Sequence, residues 1–206
     1  MRTTLLIARH GNTFSPGDIV TRVGARTDLP LVPSGLEQGR KLGLYLKEKG
    51  LSPDAVFTSN LKRTRQTAEQ VFEAGGFSLP IGVNPLFNEI DYGIDENKPE
   101  ADVVARVGAD ALKAWDENAV VPNGWQVDVQ AIIQGWLHFG ATCVQDYAGK
   151  KILVVTSNGI ARFAPYLTGD FDGFRRDHKL KISTGALAIL AHENGSWKVE
   201  GWNLKP

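Results

Sequence analysis

The stretch that most constrains the fold is an apolar run near the N-terminus that ends abruptly in charged residues. The run from Leu5 to Ala8 is followed directly by Arg9, His10 and Gly11. A short uninterrupted apolar run of this kind is typical of a strand buried on both faces of a sheet. Ligands of open α/β sheets bind outside the carboxyl ends of the strands. We therefore predict that Arg9 and His10 lie in a ligand-binding crevice.

The side chains at this strand end suit phosphate chemistry. Arg9 carries a planar, permanently charged group that matches phosphate oxygens. His10 carries an imidazole that is partly neutral near pH 7 and can act as a nucleophile. Gly11 permits a tight turn and a close approach of ligand to backbone. A histidine at a strand end can equally be a hydrogen-bonded structural residue, so its assignment depends on the rest of the chain.

The amino-acid composition limits the kinds of molecule that we expect the protein to bind. The 206 residues include 23 Lys and Arg and 23 Asp and Glu, so no net positive charge favours nucleic acid or an anionic membrane. We expect a small-molecule partner, one domain over residues 1–206, and either a monomer or a homodimer.

Cysteine and histidine usage argues against a metal centre and a disulfide. Cys143 is the single cysteine, and the four histidines do not cluster at zinc spacing. The N-terminal apolar run is too short for a signal peptide or a membrane span. We expect a cytoplasmic protein that uses no metal and no cofactor.

The first half of the chain alternates strand and helix patterns. After a polar loop, a capping-box pattern at Ser34 and Glu37 predicts a helix that ends at Gly50. The run 55–58 predicts a second strand, which by the strand–helix–strand rule is parallel to the first. A second helix should follow, capped by Ser59 or Asn60, and should stop at the glycine pair 75–76.

Arg63 lies in the first turn of this second predicted helix. Basic residues there oppose the helix dipole, so their presence indicates a role other than helix stability. The turn should lie at the same sheet edge as His10, where an anion is favoured. We expect Arg65 to be solvated, because it does not share the face of Arg63.

The second half predicts further helices and a third central strand. One helix is expected around 104–115, a break at 122–124, and a second helix over about 127–147, with residues 90–130 forming a lid. The β-type run 151–156 ends in Ser157, Asn158 and Gly159 before a helix through Leu167. An Asn-Gly pair at 194–195 predicts a type I′ hairpin. The expected fold is a three-layer α/β sandwich with a mostly parallel central sheet, helices on both faces and a small helical and loop lid.

Four segments together resemble the histidine phosphatase superfamily, the phosphoglycerate-mutase-like proteins. The opening ARHGNT resembles the RHG signature of that family, and RVGARTDLPLVPSG resembles the segment that follows its nucleophile loop. SNLKRTRQTA is similar to the helix that carries a second phosphate-binding arginine. LFNEIDYG resembles the segment that carries the acidic proton donor. The resemblance is close over about the first 95 residues.

The resemblance implies a role for each matching residue. His10 would be the nucleophile that becomes phosphorylated, Arg9 and Arg63 would clamp the phosphoryl oxygens, and Glu89 would protonate the leaving alcohol. Glu89 could instead be a solvated loop carboxylate. The phosphate-binding residues that we expect are Arg9, Asn12, Thr13, Arg22, Arg63, Ser157 and Asn158.

Two positions depart from the family pattern. Ser157 stands where the family usually has a second histidine, and a hydroxyl cannot add the positive charge of an imidazolium. Pro16 stands where the mutase branch has an asparagine. The first hypothesis is therefore a phosphomonoester hydrolase that forms phosphohistidine and acts on a small phosphorylated metabolite. The alternatives are a weak or inactive phospholigand-binding homologue and a phosphoglycerate mutase-type phosphotransferase.

Overall fold

A six-stranded sheet forms the centre of the computed structural model, which describes all 206 residues. The strands are β1 (Thr3–Arg9), β2 (Ala55–Thr58), β3 (Ile81–Val83), β4 (Lys151–Thr156), β5 (Leu187–Glu193) and β6 (Ser196–Leu204). Their order in the sheet is β3-β2-β4-β1-β5-β6. The first four strands run parallel, while β5 and β6 are antiparallel to their neighbours. The prediction of a mostly parallel sheet is confirmed.

Seven α-helices surround the sheet. They are α1 (Pro33–Glu48), α2 (Lys62–Gly75), α3 (Glu100–Val107), α4 (Ala109–Asn118), α5 (Val129–Asp146), α6 (Asn158–Ala161) and α7 (Phe171–Asp177). Short 3-10 turns occur at Pro85–Phe87, Gly93–Asp95 and Ala164–Thr168. No helix is both long enough and apolar enough to span a bilayer.

Alternate residues of β1 face two separate cores. Leu6 and Ala8 pack in a cluster with Leu42 and Leu46 of α1, on the face that α1 and α2 cover. Leu5 and Ile7 face the larger cluster on the other side, to which α5 contributes Trp136 and Phe139. Because side chains alternate across a strand, one apolar run serves both faces. Helices on both faces of the sheet complete the predicted three-layer sandwich.

The predicted starts of α1 and α2 are wrong. α1 begins at Pro33 after Val32, and Ser34 lies inside the helix, because proline favours the first helical position. α2 begins at Lys62 after Leu61, with no side-chain cap. The Ser59 hydroxyl oxygen instead accepts a hydrogen bond from the backbone N–H of Leu61.

The predicted helices after residue 100 also differ in detail. The helix expected around 104–115 is divided into α3 and α4 at Gly108, whose φ is +84°. The helix expected through Leu167 is the single turn α6 followed by a 3-10 turn that contains Pro165. The hairpin is confirmed, since Asn194 and Gly195 both have positive φ, as a type I′ turn requires. The role of residues 90–130 as a lid stays a prediction.

Candidate active site

His10 follows the carboxyl end of β1 and is almost fully buried. Its Nδ1 lies 2.7 Å from the carbonyl oxygen of Gly11. A carbonyl can only accept, so Nδ1 carries the proton and Nε2 keeps its lone pair. Burial lowers the pKa of His10 well below its usual range, and the positive charges of Arg63 and Arg9 lower it further. His10 is therefore a neutral imidazole at pH 7 with Nε2 as its free nitrogen.

Arg9 precedes the nucleophile candidate and lines the same cavity. One of its Nη groups donates to the carbonyl oxygen of Ile182 at 2.8 Å. Its Nε is buried without a hydrogen-bond partner in the protein. This leaves the guanidinium fixed in position, with donors available to an anion in the cavity.

Ser157 lies beside His10 because β1 and β4 are parallel neighbours. Arg9 is in register with Thr156, so the next residues of the two strands are His10 and Ser157. The backbone N–H of His10 donates to the carbonyl oxygen of Thr156. The Ser157 hydroxyl is fully buried and has no hydrogen-bond partner. A buried hydroxyl without a partner is costly, and Ser157 does not itself line the cavity.

Arg63 is not among the residues that line the cavity. It is fully buried at the start of α2, and its two Nη groups donate to the carbonyl oxygens of Thr27 and Gly24, at 2.8 and 3.1 Å. Its Nε has no partner. Arg63 therefore holds the loop formed by residues 24–27 in place. Its positive charge lowers the pKa of His10. Arg65 is exposed, as predicted.

Glu89 faces the cavity from the segment between β3 and α3. Its carboxylate accepts hydrogen bonds from the backbone N–H groups of Ile90 and Gly159, at 2.9 and 3.3 Å. A Cβ at position 159 would lie 2.2 Å from a carboxylate oxygen of Glu89, so only glycine permits this approach. Burial is the largest effect on the carboxyl and raises its pKa. Glu89 is a buried acid, not a solvated loop carboxylate.

The loop after His10 is packed against the start of α1. A Cβ on Gly11 would lie 2.2 Å from the carbonyl oxygen of Gly35, which explains the need for glycine. The Asn12 side chain accepts a hydrogen bond from the hydroxyl of Thr184 at 2.5 Å. Asn12 and Thr13 both line the cavity.

Arg22 closes another side of the cavity. Its guanidinium donates to Glu100 at 2.6 Å and lies 5.6 Å from the ring centre of Tyr92 and 5.3 Å from that of Trp125. These contacts join the loop after β1 to α3. Arg22 is thus held by the segment 90–130 and is not a free surface cation.

The cavity has a volume of about 470 Å³. It brings together most of the predicted site residues, and Arg63 and Ser157 are the two that do not line it. Sequence reasoning missed the other lining residues, among them Tyr92, Asp116, Lys181 and Thr184. No three His, Cys, Asp or Glu side chains are grouped so that they could hold a metal ion.

Comparison with known proteins identifies the family to which the chain belongs. A sequence model of the histidine phosphatase superfamily (branch 1) matches residues 5–205. The chain belongs to this superfamily. A member from Bacillus subtilis, the uncharacterized phosphatase PhoE, is 28% identical over 98% of this chain and 95% of its own length.

Mutases of the superfamily match a smaller part of the chain. The 2,3-bisphosphoglycerate-dependent phosphoglycerate mutase of Thermobifida fusca is 32% identical over 58% of this chain and 48% of its own length. The crystal structure of phosphoglycerate mutase from Bacillus anthracis superposes with a TM-score of 0.81, at 19% identity, over 99% of this chain and 94% of that one. The superposition confirms the phosphoglycerate-mutase-like fold.

Proposed function

We propose that this superfamily member is a phosphomonoester hydrolase that acts through phospho-His10 on a small phosphorylated metabolite. The observation that supports the proposal is the protonation state of the His10 imidazole. Its Nδ1–H is engaged by the carbonyl oxygen of Gly11 and its pKa is depressed, so Nε2 is an unprotonated nucleophile.

The first step transfers the phosphoryl group to the protein. Nε2 of His10 forms a bond to phosphorus while the ester P–O bond breaks, and the protonated Glu89 gives its proton to the departing alkoxide. The raised pKa of Glu89 supports this role, because a general acid must hold its proton near the working pH. Arg9 balances the charge on the phosphoryl oxygens.

The second step returns the protein to its starting state. A water oxygen attacks phosphorus, the N–P bond breaks, and the Glu89 carboxylate takes a proton from the water. Inorganic phosphate leaves, and His10 is again neutral at Nε2. One carboxyl group therefore serves as acid and then as base.

Ser157 favours a second candidate function, the weak or inactive phospholigand binder. Its hydroxyl can donate one hydrogen bond to phosphate but supplies no charge. Arg9 and the charge of Arg63 remain to hold an anion in that case. Such a protein would bind phosphate esters and turn them over slowly or not at all.

The hydrolase proposal is favoured over a mutase by two observations. Pro16 replaces the asparagine of the mutase branch. PhoE, whose sequence match covers 98% of this chain, is named a phosphatase, whereas the sequence match to the mutase of Thermobifida fusca covers 58% of it. A mutase must also keep its phosphohistidine from water until a second substrate accepts the group.

A panel of phosphomonoesters tests the proposal. The protein is incubated with sugar phosphates, phosphorylated organic acids and an aryl phosphate, and both free phosphate and isomerised ester are quantified. The hydrolase proposal requires stoichiometric release of alcohol and phosphate, and loss of release in Glu89→Gln on alkyl esters. Isomerised ester as main product would support a mutase, and binding without turnover of any ester would support the binder.

A further inference from the structure

A second cavity opens beside the active site, and four of its ten lining residues are cations. Its volume is about 460 Å³, and it lies between the end of α4 and residues 178–181. Asp116, Asn158 and Lys181 line both cavities, so the two are adjacent. The cations of the second cavity are Arg162, Arg175, Lys179 and Lys181.

The two lysines lie in the segment between α7 and β5, which has no regular secondary structure. Leu180 and Ile182 are buried, whereas Lys179 and Lys181 are exposed. The lysines are therefore the two exposed, charged side chains of residues 179–182. Both line the second cavity.

The backbone of this segment is fixed at three points. Trp202 Nε1 donates to the carbonyl oxygen of Lys179 at 2.8 Å. The N–H of Ile182 donates to Asn158 Oδ1 at 2.9 Å, and Arg9 donates to the carbonyl oxygen of Ile182 at 2.8 Å. Two of these three anchors are residues of the active site. The lysines are therefore held in register with the phosphate-binding arginine.

The charge of the second cavity is not neutralised within the protein. Neither Lys179 nor Lys181 forms an ion pair, and Arg175 donates to the neutral side chain of Asn118 at 2.6 Å. The carboxylate of Asp116 lies 3.9 Å from Arg162 Nη1. Four cations and the two carboxylates of Asp116 and Glu117 leave an excess of two positive charges. This local excess stands out on a chain whose net charge is zero.

We infer that the second cavity is a subsite for an anionic group on the alcohol part of the substrate. The inference rests on the proposed function, which puts the scissile phosphoryl group at His10. The substrate is then a phosphomonoester with a second anion, a carboxylate or another phosphate, held by Lys179 and Lys181. Fixed cations outside the scissile group select a substrate by charge and add to its binding.

Binding of non-hydrolysable analogues tests the subsite without relying on turnover. Calorimetry compares ω-phosphonoalkanoates of increasing chain length with their carboxamides, which differ only by one charge. A parallel series of α,ω-diphosphonates distinguishes a second phosphate from a carboxylate. At the optimal length the anionic analogue should bind more tightly than its carboxamide, on the order of fivefold for two exposed cations.

The Lys179→Ala/Lys181→Ala variant should bring the ratio of the two affinities to about one; the ratio is the readout because Lys181 also lines the active-site cavity, where both analogues place their phosphonate. The matched control is Lys113→Ala/Arg176→Ala, which removes the same charge at exposed positions that line neither cavity. It should keep the preference. Equal affinity for both analogues at every length, or a preference that survives in the lysine variant, would overturn the subsite.

Hydrolysis of phenyl phosphate by the wild-type protein is measured alongside. If phenyl phosphate is turned over but the anionic analogue binds no more tightly than its carboxamide, the subsite is refuted and the hydrolase proposal stands. A charge preference without turnover of phenyl phosphate or of any other ester in the panel would keep the subsite and remove the hydrolase proposal. The two failures are therefore distinguishable.

Discussion

His10 and Glu89 face one cavity with pKa values displaced in opposite directions. Burial lowers the pKa of the imidazole and raises that of the carboxyl, because in each case it disfavours the charged form. The charges of Arg63 and Arg9 lower the pKa of His10 further. On Glu89 the same charges lower the pKa and so oppose the effect of burial. The result is a neutral base beside a protonatable acid, which is the pairing that phosphoryl transfer to nitrogen followed by alcohol release requires.

The pH dependence of kcat/KM on an alkyl phosphate follows from these directions. As pH falls, activity is lost where His10 becomes protonated, and its lowered pKa moves that loss below the usual histidine range. As pH rises, activity is lost where Glu89 gives up its proton, and its raised pKa extends activity upward. Glu89→Gln should lower the rate by roughly 100- to 10,000-fold and remove the alkaline limb. An alkaline limb unchanged in Glu89→Gln would contradict the assignment of the acid.

Ser157→His should raise turnover on an aryl phosphate. The hydroxyl at this position is buried beside His10 without a partner, and an imidazolium there would add a cationic donor. Since one preorganised donor is worth a factor of about 100 to 1000 in rate, the gain should not exceed that range. Ser157→Asn, which adds volume without charge, is the control. Steady-state kinetics on both folded variants would refute the idea if the two rates were the same.

At the scale of elements, the loop between β1 and α1 is held by α2 and by the segment before α3. Arg63 binds two of its carbonyl groups. The carboxylate of Glu96 accepts hydrogen bonds from the N–H groups of Gly24 and Arg26 and from the Thr27 hydroxyl, at 2.9, 3.1 and 2.7 Å. This half-buried carboxylate therefore organises a wall of the active site without touching the cavity.

Glu96→Ala should lower stability and loosen this loop. Loss of a charged acceptor leaves several backbone donors without a partner, at a cost of about 1 to 3 kcal/mol. Hydrogen exchange should accelerate at residues 24–27, and urea unfolding should shift to a lower midpoint. Glu69→Ala, which removes an exposed carboxylate from α2 that makes no hydrogen bond, is the control. If both variants matched the wild type in exchange and midpoint, Glu96 would have no such role.

The strands could be predicted because apolar runs are local signals. The predicted bounds 55–58 and 151–156 are those of β2 and β4. The starts of α1 and α2 could not be predicted, since the hydroxyls of the predicted caps Ser34 and Ser59 form hydrogen bonds with other side chains, those of Asn12 and Thr64. Ser34, predicted as a cap, accepts a hydrogen bond from the Asn12 side chain instead.

The candidate site likewise contains residues that local sequence signals predict and residues that they do not. Arg9, His10 and Glu89 lie in segments that resemble family motifs, and they meet at the cavity. Lys181 and Thr184 lie in a segment without regular secondary structure, whose position depends on Arg9 and Asn158. Only tertiary contacts bring that segment to the site, so no periodic pattern marks it.

At the scale of the whole molecule, strand order explains why distant segments converge. β1 and β4 are adjacent at the centre of the sheet, and the residues after them are His10 and Ser157. Thr156 of β4 donates to the carbonyl oxygen of Phe87, which holds the segment that carries Glu89 against the same sheet edge. The site is therefore supported by both cores and by the central hydrogen-bond ladder.

Phosphate should stabilise the folded molecule as a whole. A ligand that binds only the folded state at about 100 times its Kd adds roughly 2.7 kcal/mol, which corresponds to a Tm increase of roughly 5 to 10 °C for a chain of this size. Arg9→Ala should lose most of the increase. Calorimetric scans in phosphate and in chloride of equal ionic strength provide the measurement, and equal Tm values in the two salts would contradict a built phosphate site.

The central claim is that His10 Nε2 carries the phosphoryl group during turnover. Rapid acid-free quenching with denaturant during hydrolysis of an aryl phosphate, followed by peptide mass spectrometry, measures this directly. The account predicts an acid-labile phosphoryl group on His10 in the wild type and none in His10→Ala, while phosphate still binds to the variant. Hydrolysis with no phosphorylated His10, or equal labelling of the His10→Ala protein, would contradict it.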